Sequence, residues 1–206
     1  MTIIKADFGR NKDSSLQKSK EDEPISRYQL HVSLAFSDPL IWRRIVVPGE
    51  MTLYQLHRAL QVCFGWAGEH GHQFYVGKVF YAMDTAHADP RFNEALVELY
   101  TLEEAMRWCF TYMYDAGDGW EHTLELEEIL TPGSSKKPVI LDGEWAAPPE
   151  QVGGVHDYTE IIEALDNPQH EGSRRLLQEQ NLVDFDPYRF DMTEMNKMLA
   201  KQLEFI

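Results

Sequence analysis

From Arg27 onward the chain alternates, with Tyr28, Leu30, Val32, Leu34 and Phe36 on one side and polar residues between them. A period of two is the mark of a strand buried on one face. Ser37-Asp38-Pro39 then turns the chain, and residues 41–47 read as an antiparallel partner closed by Pro48-Gly49. At Thr52 the period changes. Thr52-Leu53-Tyr54-Gln55 fits a capping box, Leu53, Leu56, Leu60, Cys63 and Phe64 follow at helical spacing, and Gly65 stops the helix. Strand-like patterning returns over residues 73–76, breaks at Gly77 and resumes over 78–81 as a hairpin partner. Residues 83–98 form a loop-like insertion to which no element is assigned, and Thr101 caps a short helix over 102–107. Two further strand-like runs, 108–113 and 123–129, flank a polar turn.

Residues 131–157 contain Pro132-Gly133, Pro138, Asp142-Gly143, Pro148-Pro149-Glu150 and Gly153-Gly154, and read as one long irregular segment. A connection of that length is expected to serve a function or to cover something. Helices are expected over 158–165, 168–178 and 192–203, the last capped by Asp191 with Met195, Met198, Leu199 and Leu203 as its stripe. Strands, an early helix, more strands and then helices make an α+β chain: a mostly antiparallel sheet, the early helix packed on it, and a C-terminal helical group. Residues 1–24 are polar enough to read as a flexible tail, leaving 25–206 as a single domain.

Composition narrows the function classes. The 206 residues are 43% hydrophobic, enough for a real core. The formal charge of −15 disfavours nucleic acid as a partner and suits a protein or a small ligand instead. Cys63 and Cys109 lie in apolar runs and read as buried hydrophobes in a reducing compartment. Neither a secretory leader nor a membrane-length apolar run is visible, so a cytoplasmic protein without a membrane partner is expected.

The turn Tyr114-Asp115-Ala116-Gly117-Asp118-Gly119-Trp120-Glu121-His122 carries more chemistry than turning requires. Strand parity places His122 and Trp120 on the apolar side with Leu124, and places His72 there with Phe74 and Val76. His70 stands just outside the same strand. Glu150 arrives on a proline-stiffened loop with His156 and Asp157 after it. His70, His72, Tyr114, Asp115, Asp118, Trp120, Glu121, His122 and Glu150 are therefore the candidate pocket. Two readings stand. Paired imidazoles and carboxylates would suit a divalent transition metal at His70, His72, Asp118 and His122, and an open position there would support hydrolysis. Alternatively, and as the commoner fate of histidines on apolar faces, the same groups make a buried structural network, with Asp118 on the turn amides, His122 held by a carboxylate and Trp120 beside Gly119. No other cofactor and no catalytic residue is indicated, since phosphate-loop, nucleophile-elbow and His-Glu-x-x-His patterns are missing.

Gly65-Trp66, His70-Gly71-His72-Gln73-Phe74, the turn 114–122, Pro148-Pro149-Glu150 with Gly153-Gly154, and Tyr158 together resemble the plasmid pRiA4b ORF-3-like family. The resemblance covers residues 25 to the C-terminus. Ala116 stands where the family's turn has Phe, and Gln151-Val152 stand where its loop has Asp-Cys. Family cysteines also align at Ile140 and Ala147, so any metal or cross-link at those places is lost here. That family is largely uncharacterised, and the resemblance itself implies only a mobile-element association. The motif loops and acidic surface put a non-enzymatic binding or interaction domain first, and the two histidine strands and Asp-rich turn put a metal-dependent hydrolase second. A mobile-element DNA accessory protein comes third.

Overall fold

The computed structural model describes residues 25–83, 90–107, 110–133 and 136–202. The expected tail, Cys109 and Leu203 lie outside the described residues. Seven strands form one antiparallel sheet: β1 (Ile25–Leu34), β2 (Trp42–Pro48), β3 (His72–Val76), β4 (Val79–Ala82), β5 (Phe110–Tyr114), β6 (Trp120–Gly133) and β7 (Val139–Glu144). Their order is β4-β3-β5-β6-β1-β2-β7. Among the described residues, five α-helices accompany them: α1 (Leu53–Phe64), α2 (Glu103–Met106), α3 (Val155–Asp166), α4 (Glu171–Glu179) and α5 (Met192–Gln202). The architecture is α+β.

Parity does the sorting. Tyr28, Leu30, Val32 and Leu34 of β1, Ile45 and Val47 of β2, Phe74 and Val76 of β3, and Phe110, Tyr112 and Tyr114 of β5 all bury into one core. The stripe of α1 closes that core with Leu53, Leu56, Leu60, Cys63 and Phe64. The Thr52 hydroxyl accepts from the Gln55 amide while the Gln55 side chain accepts from the Thr52 amide, so the capping box forms at the expected place. Gly65 ends the helix in the left-handed conformation at φ 68°.

Three expectations are corrected. Phe36 does not extend β1, because pairing ends at Leu34 and the following turn holds Phe36 at φ 64° with its ring exposed. The stretch 131–157 is not irregular throughout, since β6 runs on to Gly133 and Val139–Glu144 forms β7 on the far side of β2. Met198 faces solvent rather than the stripe, while Leu199 is buried and Met195 packs against the core.

The insertion also has order. Leu53 N–H donates to the Val97 carbonyl, Leu99 N–H to Met51 and Tyr100 N–H to Gly49, lacing residues 97–100 onto the start of α1. Short 3-10 turns over Glu94–Leu96 and Leu99–Leu102 carry that segment past the sheet.

As an edge strand, β7 would offer unpaired backbone to other chains. Asn196 of α5 blocks this, accepting from the Ile140 amide and donating to the Ile140 carbonyl, each at 2.9 Å. Asn196→Ala is expected to lower stability by about 1–2 kcal/mol, two modest hydrogen bonds' worth. Faster amide exchange at Ile140 checks the cause. Unchanged exchange would assign the edge's protection to something else.

Candidate functional site

The motif residues meet at the ends of β3, β5 and β6, but they do two different jobs. The Pro148–Gly154 loop is clamped onto the turn. Trp66 Nε1 donates to the Pro148 carbonyl at 2.9 Å, and Trp120 Nε1 to the Glu150 carbonyl at 3.4 Å. Glu150 accepts from the Tyr114 hydroxyl through Oε1 and from the Ala67 amide through Oε2. Trp66 stacks on Tyr114 with ring centroids 5.3 Å apart. Burial, followed by the Glu150 hydrogen bond, pushes the Tyr114 hydroxyl up to about 12. Glu150 thus fastens the loop to α1's exit and to β5.

The turn itself is held by Asp115. Its Oδ1 accepts from Gly117 N–H, its backbone carbonyl from Gly119 N–H, and its Oδ2 sits 3.5 Å from His70 Nδ1. Asp118 instead accepts, at 3.3 Å, from Gly153 N–H of the neighbouring loop. Asp115 therefore takes the amide-capping place expected of Asp118. Glu121 lies between the inward Trp120 and His122, and its side chain is only partly buried.

His122 is fully buried, edge-on to Phe64 and Trp66. Its Nδ1 donates to the Trp120 carbonyl at 3.1 Å, so no carboxylate is needed to hold it. Burial drives its pKa down to about 3 and keeps it neutral. His72 reaches a different place. Its Nε2 lies 2.7 Å from Oε1 of Glu94, and both side chains are almost wholly buried. The His72 ring stacks face to face on His57, with centroids 3.4 Å apart and planes 3° apart. Among the described residues, no group of three or more His, Cys, Asp or Glu is arranged to hold a metal ion. His70, His72, Asp118 and His122 thus do not converge on one point.

His57, Gln61 and Glu94 are the residues that sequence reading passes over. His57 and Gln61 are four apart on α1, so they share a face, and that face is the buried one. Gln61 Nε2 donates to the Tyr112 hydroxyl at 2.9 Å, and His57 Nδ1 lies 2.7 Å from the same oxygen. Two polar residues on an otherwise apolar helix stripe were the available signal. Glu94 gave none, because it belongs to the insertion. Burial first, then His72 and Arg58, lowers the His57 pKa to about 3.

His57 and Gln61 border a cleft of about 500 Å³, whose lining also includes Tyr54, Arg58, His70 and His72. Oε1 of Gln61 is buried there without a hydrogen-bond partner among the described residues. A second cavity of about 300 Å³ lies by Glu50, Gln55 and Lys136. No buried unpartnered polar atom of the described residues borders it, so it lacks the first cleft's chemical demand.

The family model for plasmid pRiA4b ORF-3-like protein matches residues 26–194. A relative from Sinorhizobium fredii (strain NBRC 101917 / NGR234), "Uncharacterized protein y4hQ", is 32% identical over 171 residues, covering 82% of this chain and 88% of that one. The crystal structure titled as a protein of unknown function, MM3350 from Methanosarcina mazei Go1, is similar at a TM-score of 0.73 and 31% identity. That match covers 84% of this chain and 98% of that one.

Proposed function

We propose that the chain, which belongs to the plasmid pRiA4b ORF-3-like protein family, is a binding domain whose ligand enters the cleft beside the His57–His72 stack. One observation carries this reading: Gln61 Oε1 is a buried acceptor with no partner among the described residues, and Gln61 lines that cleft. A buried polar atom left unpaired costs about 1–3 kcal/mol, a cost a ligand's donor relieves. The cleft's volume falls in the range of small-molecule sites. The acidic charge of −15 favours such a ligand, or a protein, over nucleic acid. The clamped turn and loop act as the frame: Glu150 fixes Ala67 next to the cleft, and Asp115 sits beside His70.

A fragment set screened by thermal shift tests the assignment, with Met83→Trp as the comparison. Met83 lines the cleft and is half exposed, so the bulkier ring should obstruct entry at little cost to the fold. Fragments that stabilise the wild type are expected to lose their effect on this variant. Equal stabilisation of both proteins would place binding elsewhere.

A further inference from the structure

Hydrogen-bond direction says more about the occupant of the cleft than its volume does. Gln61 Nε2–H donates to the Tyr112 oxygen. The hydroxyl proton of Tyr112 is then free to donate to His57 Nδ1, 2.7 Å away. A neutral imidazole that accepts at Nδ1 carries its own proton at Nε2. Burial beside His72 and Arg58 keeps that ring neutral. In that arrangement of protons His57 presents an N–H donor at Nε2. Gln61, one helical turn further on the same face of α1, presents Oε1, an acceptor that no described residue satisfies. Both residues line the cleft.

A donor beside an acceptor is the complement of an amide edge. We propose that the cleft takes a small planar ligand bearing a carboxamide, whose carbonyl accepts from His57 Nε2 and whose N–H donates to Gln61 Oε1. This rests on the cleft being the binding site. Ligands with one kind of group fit worse. A carboxylate has no donor for Gln61 and sets two acceptors face to face. An ammonium sets its N–H against that of His57. Tyr54, Ala82 and Met83 supply apolar walls for a flat ring.

Benzamide tests the edge, with benzoate, benzylamine and N,N-dimethylbenzamide as controls. Amide chemical shifts of the intact chain are followed near neutral pH. Benzamide is expected to shift the backbone amides of Gly68 and Gly71 and the side-chain amide of Gln61 saturably. Each control should bind at least ~10-fold more weakly, since each loses a hydrogen bond or leaves a polar atom unpaired. Gln61→Leu should abolish the benzamide shifts while keeping a dispersed spectrum. If any control equals benzamide at the same amides, the carboxamide assignment falls and the cleft survives as a binding site. If benzamide moves none of these amides, the assignment also falls, and the fragment comparison with Met83→Trp then decides the cleft separately. Long-range nitrogen–proton spectra of His57 give an independent reading: protonation at Nε2 is expected, and protonation at Nδ1 would overturn the pairing.

Discussion

Acidification from about pH 7.5 to about pH 4.5 is expected to remove roughly 5 kcal/mol of stability through two buried histidines. Burial lowers both His57 and His122 from 6.5 to about 3 in the folded chain. Above pH 6.5 neither state binds the proton, so these groups do not affect folding there. Below 6.5 the unfolded chain protonates while the folded one does not, and stability falls with pH until about 3. The slope for each histidine approaches about 1.4 kcal/mol per pH unit, which gives about 2.7 kcal/mol each at pH 4.5. Neighbouring His72 and Arg58 lower His57 further, while at His122 the backbone hydrogen bonds to Tyr112 and Trp120 raise the pKa and Arg43 lowers it, with burial outweighing all of them. Relief of the −15 net charge on approaching the pI of 4.9 works in the opposite direction, but that charge is largely solvated and screened. A loss of that size is a large part of an ordinary domain's stability. Urea midpoints measured across this range check it. His122→Gln should roughly halve the slope, and a midpoint independent of pH would show that both rings titrate normally in the fold.

Gly154→Ala is expected to be the most damaging single methyl group in the site region, costing about 3 kcal/mol or more. Gly154 sits at φ 94°, ψ −177°, a backbone region that side-chain-bearing residues hardly enter. A Cβ there would also lie 2.5 Å from the Asp118 carbonyl oxygen, which is backbone and cannot swing aside. This is where the proline loop passes against the turn, so yielding would unfasten the Glu150 clamp. Gly153 separates the two contributions. Its φ of +92° is similarly strained, but the atom its Cβ would meet is the Asp157 carboxylate, the end of a flexible side chain. Gly153→Ala should therefore cost less. Gly71→Ala is the control, with nothing within 4 Å and no left-handed backbone, and should change stability little. Equal losses for all three would mean that the contact with Asp118 is not what holds the loop.

The fold was legible where one side of an element is buried. Alternation placed β1, β3 and β5, and it turned His72 and His122 inward. The capping box of Thr52 and Gln55 and the stop at Gly65 fixed α1. Legibility failed where local pattern and tertiary pairing part company. Residues 139–144 are broken by Asp142-Gly143 and look like a loop, yet they pair with β2 because an unpaired edge lay open there. Phe36 fits the alternation and still turns outward, because the chain reverses before it. The site was half visible for the same reason. Parity shows which way a histidine points but not what it meets. His72 meets Glu94, delivered from the insertion, and His122 meets aromatic rings and backbone groups of Trp120 and Tyr112. The turn 114–122 looks like the place of chemistry because its polar residues are dense in sequence. In the fold they are largely spent on holding the loop 148–154, while His57 and Gln61 were hidden in the helix stripe.

If, as proposed, ligands enter beside α1 and the polar turn is frame, binding should perturb the chain beside α1 first. Mapping fragment binding by backbone amide shifts over the whole chain tests it most directly. Saturable shifts are expected to centre on Tyr54, Gln61, Gly68 and Gly71. Shifts centred on Asp118, Glu121 and Gly153, with those cleft amides unmoved, would contradict it.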